Sequence, residues 1–275
     1  MRRKLIIGLC ILVVLLAGIG IYLRNGFYGN CVLERRSLYV RSGSEYRTLE
    51  DSLDAAIAHT AFFRFYARHI ELDRSFKPGH YVLEPGMNIV QVARMLKLGL
   101  QTPVRVTINN VRTPAQLAGK LARQIEADSA TIVGALTDPA TARKAGFDSV
   151  TLFSMFIPDT YEFYWTVSPA QFIERMRREY DRFWTPQRDA KRQRSGLSRL
   201  EVMTLASIVY EETRQSDEMP RIAGVYINRL RKGWPLQADP TVKYALQEFG
   251  LRRILHRHLK YPSPYNTYIN KGLPP

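Results

Sequence analysis

The N-terminal part of the chain is dominated by an apolar segment, Leu5–Leu23, in which nineteen consecutive residues carry no charge. A helix of about 20 apolar residues is long enough to cross the hydrocarbon core of a bilayer, so the segment predicts a membrane-spanning helix. A cleaved signal peptide is the alternative, although its apolar core usually contains only about 7–15 residues. The basic residues Arg2, Arg3 and Lys4 precede the segment and favour a cytoplasmic N-terminus. We therefore expect an N-terminal anchor, with the rest of the chain on the extracytoplasmic side.

Beyond the apolar segment, the hydrophobic pattern first predicts alternating strands and helices. Short strands are predicted at Ser37–Val40 and His80–Leu83, and Pro103–Ile108 alternates between apolar and polar residues as a strand does. Helical spacing of apolar residues predicts one helix that starts after a Thr48 cap and a second that ends at Gly99. Strands and helices in this close order predict a small α+β module.

The remainder of the chain has a mainly helical pattern. Thr113 followed by Pro114 is a typical helix start, because threonine caps the first turn and the missing N–H of proline is not needed there. Longer helices are predicted at Pro169–Trp184, Ser198–Thr213 and Met219–Arg231. We expect irregular chain ahead of these helices, and loops and short helices after them. The predicted fold class is therefore α+β, with a mainly helical back half.

Charge narrows the choice of partners. The chain has 40 Lys and Arg residues against 25 Asp and Glu residues, which gives a formal net charge of +15. In a cytosolic protein such a surplus favours binding to nucleic acid. The predicted export excludes nucleic acid and leaves anionic membrane surfaces or acidic wall polymers. The densest basic segment is Glu174–Arg199, for which a solvated helix face is the simpler explanation.

Cysteine and histidine give no sign of a metal or a cofactor. Cys10 lies in the apolar segment and Cys31 lies just beyond it, so we expect no disulfide framework and no cysteine-based metal site. The five histidines lack the spacing of known ligand motifs, and His256 and His258 are explained by a chance surface pair. We therefore expect the protein to work without a cofactor or a metal.

Glu212 is the residue whose position suggests chemistry. It follows Leu205 by seven residues and Ile208 by four, so it projects from the apolar stripe of its predicted helix. Apolar surroundings, the negative end of the helix dipole and the neighbouring Glu211 all raise the pKa of such a carboxyl. A carboxylic acid that stays protonated near neutral pH is the general acid that cleavage of a glycosidic bond requires. An ordinary packed or hydrogen-bonded glutamate is the alternative.

Distinct motifs surround this helix and follow one another along the chain. They are "SIVYEET", "INRL", "LQADPTVKY" and "PYNTYINKGLPP", preceded by "FIPDTYEF" and by "KPGHYVLEPGMNIVQVARMLKLG". In this order they resemble the YceG-like, or MltG-type, endolytic murein transglycosylases. Together with the apolar segment, the resemblance covers nearly all of the chain.

The resemblance implies a LysM-like module followed by a mainly helical, lysozyme-like catalytic domain. The expected domains are a cytoplasmic N-terminus at 1–4, a transmembrane helix at 5–23, the LysM-like module at 37–100, a connecting α/β segment at 101–150 and a catalytic transglycosylase domain at 151–275. Members of the family continue beyond the final "GLPP". The catalytic domain is therefore expected to be either a natural short form or incomplete, without its usual C-terminal tail.

The resemblance also implies an activity. Glu212, which directly precedes the threonine of the "ET" pair, matches the catalytic glutamate of the family. A lytic transglycosylase would cleave the bond between N-acetylmuramic acid and N-acetylglucosamine in nascent peptidoglycan, leave 1,6-anhydro ends and limit the length of glycan strands. The implied partners are peptidoglycan strands, the cytoplasmic membrane on its periplasmic side and peptidoglycan synthases. The implied class is a lyase that acts on a polysaccharide.

Further residues are predicted to contact the sugar. Gln237 and Asn266 match motifs that shape the glycan groove, with loop structure alone as the alternative, and Tyr268 is a further candidate donor. Asp239 is expected either to contact substrate or to cap the helix that follows it. Tyr161 is expected either to stack on a sugar or to belong to the core.

Two other functions stay open at this stage. A non-catalytic peptidoglycan-binding or divisome scaffold would hold the wall through its LysM-like module and basic surface, with an inert, truncated catalytic domain. A lysozyme-type hydrolase would cleave the same polymer and would differ only in the reducing end of its product.

Overall fold

The computed structural model describes residues 2–275, and its side chains are described from Ile6 onwards. The chain divides into two compact units, each built from separate segments. The first unit contains the chain up to Val106 with Ala122–Ala127 and Thr160–Val167, and the second contains Thr107–Leu121, Asp128–Asp159 and Ser168–Pro275. These units cross the boundaries predicted at residues 100 and 150, which stay predictions about functional domains.

Helices make up most of the regular structure of the described residues, and the four strands found there form two small sheets. The α-helices of the described residues are α1 Arg2–Tyr28, α2 Tyr46–Asp54, α3 Thr60–His69, α4 Leu72–Ser75, α5 Ile89–Leu98, α6 Pro114–Leu121, α7 Ser129–Thr137, α8 Pro139–Lys144, α9 Pro169–Phe183, α10 Pro186–Ser195, α11 Arg199–Glu212, α12 Met219–Arg231, α13 Asp239–Leu246 and α14 His256–Leu259. The strands are β1 Arg36–Val40, β2 Gly79–Leu83, β3 Val104–Ile108 and β4 Asp159–Phe163, with a 3₁₀-helix at Leu152–Met155. Strand β1 pairs with β2, and β3 pairs with β4. The architecture is α+β, as predicted.

Helix α1 contains the predicted apolar span. Its segment Ile6–Tyr28 has 23 residues and contains an 18-residue stretch with a mean hydropathy of 2.9, so it is long and apolar enough to cross a membrane. A signal sequence near the N-terminus has the same properties, and both predicted alternatives therefore fit this helix. The side chains of Arg2, Arg3 and Lys4, on which the predicted orientation depends, lie outside the described side chains.

The first unit is organised around the antiparallel pair β1 and β2, which confirms two of the predicted strands. Leu38 lies opposite Tyr81 in the register, and both side chains are buried. Tyr39, between Leu38 and Val40, is 51% exposed, as the alternation of a strand requires. The inner face of the sheet packs with buried residues of α2, α3 and α5 to form one hydrophobic core.

The helix predicted after Thr48 is wrong as a single element, because the chain forms α2 and α3 in its place. Helix α2 ends at Asp54, and His59 adopts a left-handed backbone with φ 60° immediately before α3, so the two helices are not continuous. Thr48 does not cap α2, since the N-cap position is Glu45, which forms no side-chain cap. Leu53 near the end of α2 and Ile57 in the connection to α3 are both buried. The helical spacing of apolar residues therefore predicted the burial of Leu53 and Ile57 correctly, but it did not predict the interruption between α2 and α3.

Helix α5 ends where the sequence predicts. Its start is closed by a capping box in which the side chain of Asn88 accepts from the Gln91 N–H and the side chain of Gln91 accepts from the Asn88 N–H. Its end is closed by Gly99, which adopts φ 71° and donates its N–H to the Met95 carbonyl. Glycine is favoured there because a side chain would be strained in the left-handed region.

The second unit contains the predicted helix starts and several elements that the pattern missed. The Gln116 N–H donates to Thr113 Oγ1 at 3.2 Å, which confirms the predicted cap of α6. Helices α8 and α10 and strand β4 were not predicted. Helix α10 buries no residue, so it has no apolar stripe to detect, and its start depends on a local cap by Thr185. For α8 a signal was present, because Asp138 precedes Pro139 and caps the helix.

The end of α11 is held by a hydrophobic cluster of the second unit. Leu205, Ile208 and Val209 of α11 are buried and pack in one cluster with Tyr226 of α12 and with Leu236. Because the cluster includes residues from the last two turns of α11, it fixes the direction in which this helix ends.

The core of the first unit provides a test of the fold. Leu96 is fully buried in α5, whereas Leu98 of the same helix is 60% exposed. We expect Leu96→Ala to lower the free energy of unfolding by about 2–5 kcal/mol, since it removes buried methyl groups and leaves a cavity. The matched control Leu98→Ala should change it by less than about 0.5 kcal/mol. Urea unfolding of the full-length protein, followed by circular dichroism, measures both, and equal effects would contradict this packing.

Candidate active site

Helix α11 carries Glu212 as its last residue. The helix starts with the capping box that its Ser-x-x-Glu pattern predicts, because the Glu201 N–H donates to Ser198 Oγ at 3.2 Å and the Ser198 N–H donates to Glu201 Oε2 at 2.7 Å. It ends at Thr213, whose backbone is extended and whose N–H donates to the Val209 carbonyl at 3.2 Å. The predicted helix is thus confirmed, with Glu212 at its C-terminal end.

The surroundings raise the pKa of the Glu212 carboxyl above that of an ordinary glutamate. Burial is the largest cause, and the negative charge of Asp239 is the second. A hydrogen-bonding interaction with the Tyr226 hydroxyl and the positive charge of Lys243 lower the pKa and oppose these effects. The direction agrees with the prediction, so Glu212 retains its proton to higher pH than a free side chain.

The source of the like charge differs from the one predicted. Glu211 is not among the groups that shift the pKa of Glu212. Its carboxylate oxygen Oε2 accepts from the Arg112 guanidinium at 2.8 Å, and both side chains are less than a third exposed. The neighbour in sequence is therefore neutralised by its own partner, and Asp239 acts from another helix.

Glu212 combines a desolvated side with an open side. The residue as a whole is exposed, whereas Leu205, Ile208 and Val209 of the same stripe are buried. The prediction that Glu212 shares the apolar environment of the stripe is therefore correct for one side of the residue only. Solvent reaches the other side, so the carboxyl is accessible from outside the protein.

Asp239 is the first residue of α13, and its carboxylate is directed to a tyrosine. The helix has Ala238 at its N-cap and no side-chain cap bond, so the interpretation of Asp239 as the cap is wrong. Its Oδ1 accepts from the Tyr268 hydroxyl at 2.6 Å. Burial and this hydrogen bond raise the pKa of Tyr268, which keeps its hydroxyl protonated. The structure thus brings together three predicted residues, because the charge of Asp239 raises the pKa of both Glu212 and Tyr268.

Tyr226 belongs to the same group and was missed in the sequence. It lies in α12, is only 6% exposed, and its pKa is raised to about 12 by burial and by the charge of Glu212. Its hydroxyl therefore stays a donor towards the carboxyl at physiological pH. A buried tyrosine needs a hydrogen-bond partner for its hydroxyl, but the sequence does not indicate which residue provides it.

Two buried threonines connect α13 to the loop that follows α14 and carries Tyr268. Thr241 Oγ1 lies 2.8 Å from Thr267 Oγ1, and the Ala238 N–H donates to Thr267 Oγ1 at 3.0 Å. The carbonyl of Thr267 accepts from the Gln237 N–H at 3.0 Å. These bonds join the start of α13 to the loop that carries Tyr268. They explain how Asp239 and Tyr268, which are far apart in sequence, meet.

Gln237 is exposed next to this junction. Its backbone adopts φ 54°, and its Oε1 accepts from the Arg229 guanidinium at 3.2 Å. The side-chain amide group remains on the surface of the second unit. Contact between Gln237 and a sugar therefore stays a prediction that the geometry permits.

Asn266 has a different environment from the one predicted. It is fully buried, its amide nitrogen donates to the carbonyls of Leu259 at 3.0 Å and Tyr261 at 2.8 Å, and its Oδ1 accepts from the Tyr268 N–H at 3.0 Å. The side-chain amide is occupied inside the loop, so direct contact with a sugar does not agree with this geometry. Asn266 holds the loop in shape and positions the backbone of Tyr268.

Tyr161 lies in the other unit, in strand β4. It is 8% exposed, and its ring centroid lies 6.4 Å from that of Phe163. This burial favours the core alternative over a sugar-stacking surface. Among the described residues, no group of three or more His, Cys, Asp or Glu side chains could hold a metal ion.

The fold and the site define a class of protein: an α+β chain in which a mainly helical unit carries an acid of raised pKa beside tyrosine hydroxyls and a second carboxylate. The particular family follows from comparison with known sequences. The profile of the YceG-like family matches residues 38–275, and the chain belongs to this family.

Relatives of known name agree with this assignment. The chain is 27% identical over 228 residues to an endolytic murein transglycosylase of Bacillus subtilis (strain 168), covering 78% of this chain and 63% of the relative. It is 24% identical over 270 residues to an endolytic murein transglycosylase of Streptococcus pneumoniae serotype 2 (strain D39 / NCTC 7466), covering 86% of this chain and 48% of the relative. The chain thus spans about half to two thirds of the length of these relatives.

A solved structure shares the fold. The crystal structure of a YceG-like protein from Listeria monocytogenes matches with a TM-score of 0.57 and 27% sequence identity. The match covers 88% of this chain and 84% of the other.

The pKa of Glu212 provides a test of this geometry. Asp239→Asn removes a negative charge but keeps an oxygen that can accept from Tyr268, so we expect the Glu212 pKa to fall. Selective ¹³C labelling of glutamate carboxyls and an NMR titration of the full-length protein measure it, with the Glu212 signal assigned by its loss in Glu212→Gln. The exposed Asp217→Asn is the matched control and should leave the pKa unchanged. An equal fall in both variants would show that Asp239 has no specific effect.

Proposed function

We propose that the protein is a membrane-anchored lytic transglycosylase that cleaves glycan strands of peptidoglycan. The observation that carries the proposal is the Glu212 carboxyl, which has a raised pKa and an open side at the end of α11. Membership of the YceG-like family supports it, since relatives in two bacteria are named endolytic murein transglycosylases.

The proposed reaction needs one acid. Protonated Glu212 donates its proton to the bridging oxygen as the bond from that oxygen to C1 of N-acetylmuramic acid breaks. The resulting carboxylate then accepts the proton of the 6-hydroxyl of the same sugar, and O6 forms a bond to C1. The product is a 1,6-anhydro ring, and no water is consumed. The nucleophile is held within the substrate, so it reacts at a high effective concentration without a second base.

The neighbours of Glu212 support this cycle in different ways. Tyr226 donates towards the carboxyl and stabilises the carboxylate that forms after proton transfer. Asp239 favours reprotonation, because its charge raises the pKa of Glu212. We propose Tyr268, Asp239 and Gln237 as substrate contacts, with Asn266 as a positioning residue for the loop.

Asp239 also supports the hydrolase as a second candidate. Retaining and inverting glycosidases use a second carboxylate as nucleophile or base, and Asp239 is an acidic neighbour of Glu212. Its hydrogen bond from Tyr268 at 2.6 Å occupies one carboxylate oxygen, which leaves that oxygen less available to attack a sugar or to activate a water. We therefore favour the transglycosylase, and the chemical form of the product end distinguishes the two.

Substitution of the acid tests the proposed activity. We expect Glu212→Gln to lower the rate of release of anhydro-muropeptides from purified sacculi by about 10²–10⁴-fold, the usual contribution of general acid catalysis. Mass spectrometry of the products measures the rate and identifies the new ends. The matched control is Glu248→Gln, an exposed glutamate of the same unit, which should retain the parental rate.

Each outcome of this experiment separates the candidate functions. A parental rate in Glu212→Gln would falsify the assignment of the acid. Reducing ends in place of anhydro ends would favour the hydrolase. Binding of the intact protein to sacculi without any product would favour the non-catalytic scaffold. The length of the glycan fragments that are released would in addition test whether the protein limits the length of glycan strands.

We further propose that α1 anchors the protein in the cytoplasmic membrane, with the rest of the chain on the extracytoplasmic side. The 23-residue apolar segment Ile6–Tyr28 supports the anchor. Residues 37–100 of the first unit, in which α2, α3 and α4 lie between β1 and β2, are the proposed LysM-like module for binding the wall. Peptidoglycan synthases, which make the proposed substrate, stay predicted partners.

The anchor has its own test. If α1 stays in the membrane, alkaline carbonate should leave the protein in the membrane pellet, and mass spectrometry should find its N-terminal peptide intact. A soluble product that lacks the apolar segment would identify the segment as a cleaved signal. A variant with residues 5–23 deleted is the control and should remain in the cytoplasm.

A further inference from the structure

An open cavity of about 540 Å³ lies in the second unit, and none of its lining residues belongs to the group around Glu212. It lies where α9, α10 and the start of α11 meet the chain after α8. Its lining residues are Gly146, Phe147, Thr151, Arg177, Tyr180, Asp189, Arg192, Ser198, Arg199 and Leu200. Three of them are arginines and one is an aspartate, so the lining has a surplus of positive charge.

Two of the arginines share one carboxylate oxygen. Asp189 Oδ1 accepts from Arg192 Nε at 2.9 Å and from Arg199 Nε at 3.0 Å. A terminal nitrogen of Arg192 also donates to the Leu197 carbonyl at 2.8 Å. Each guanidinium has five N–H donors, and these bonds engage only one or two of them. Asp189 therefore fixes both groups in place and leaves most of their donors for another acceptor.

Two of the guanidinium groups lie over aromatic rings and form cation–π contacts with them. Arg177 lies 5.6 Å from the ring centroids of both Phe147 and Tyr180, and Arg199 lies 5.4 Å from that of Trp184. Arg177 also forms an ion pair of 3.0 Å with Asp181, which is not part of the lining. Stacked arginines lose less side-chain freedom on binding, so the cluster is organised before a ligand arrives.

The wider surroundings add to the positive potential. The segment Glu174–Arg199 carries nine basic and four acidic residues. Most of the remaining arginines of α9 form ion pairs along the helix, such as Arg175 with Glu179 and Arg178 with Glu174. A solvated face explains those residues. It does not explain three arginines that converge on one cavity.

We propose that this cavity binds a phosphate group through Arg177, Arg192 and Arg199. The N–H donors of a guanidinium group match the geometry of phosphate oxygens. The three arginines and one aspartate of the lining leave two positive charges in excess, and a phosphate monoester or pyrophosphate carries the negative charges that balance them. Asp189 holds Arg192 and Arg199 in position through its hydrogen bonds, and its negative charge competes with the phosphate for them. The site is independent of the proposed transglycosylase chemistry, because it shares no residue with it.

Calorimetric titration of the full-length protein in detergent with inorganic pyrophosphate tests the site at fixed pH and salt. We expect saturable binding that Arg199→Gln and Arg177→Gln each weaken at least tenfold. The matched control Arg178→Gln removes the same charge from α9 outside the cavity, and it should change the affinity less than twofold. Asp189→Asn should tighten binding several-fold, because it removes the competing negative charge while circular dichroism confirms that the variant is folded.

The origin of the phosphate is distinguished by a second titration with short-chain phosphatidylglycerol. Tighter binding of the lipid than of pyrophosphate, with the same dependence on Arg199, supports a membrane headgroup as the ligand. Tighter binding of pyrophosphate supports a soluble phosphate compound. Absence of saturable binding to both probes overturns the proposal. Equal weakening by Arg178→Gln and Arg199→Gln overturns it as well, because general charge would then account for the binding.

Discussion

The environment of the Glu212 carboxyl combines two opposing properties, because one side is desolvated enough to raise its pKa and the other side is open to solvent. The position of Glu212 at the last residue of α11 accounts for both. The cluster of Leu205, Ile208 and Val209 with Tyr226 fixes the end of the helix, and burial on that side raises the pKa. Because the chain leaves the helix at Thr213, the other side stays exposed.

The remaining parts of the site depend on how the C-terminal segments meet. Asp239 influences Glu212 only because α13 starts close to it, and Tyr268 reaches Asp239 only because Thr241 and Thr267 join α13 to the loop. The buried side chain of Asn266 stabilises that loop through three hydrogen bonds to backbone groups of the surrounding chain. Asn266 therefore has a structural role inside the loop, whereas Tyr268, two residues later, is half-buried and contacts Asp239.

Local signals were sufficient for many elements and misleading for a few. The caps of α6 and α11 and the glycine that ends α5 are visible in the sequence, because each satisfies backbone groups within one turn. Helix α10 was invisible because it buries nothing. The prediction of a single helix after Thr48 was wrong because Ile57 is buried in the non-helical connection between α2 and α3. Its position therefore continues the helical spacing of apolar residues where the helix itself has ended.

The position of Glu212 at the end of an amphipathic helix, the apolar segment of α1 and the family motifs were determined by the sequence alone. They depend on neighbours within a few residues, or on an order of motifs that can be read directly. The tertiary structure decided which charges act on that acid. Glu211, the neighbour in sequence, is neutralised by Arg112, whereas Asp239 and Tyr226 act from other helices. Electrostatic interactions depend on distance in space, and the chain alone does not state which distant residues fold to within that distance.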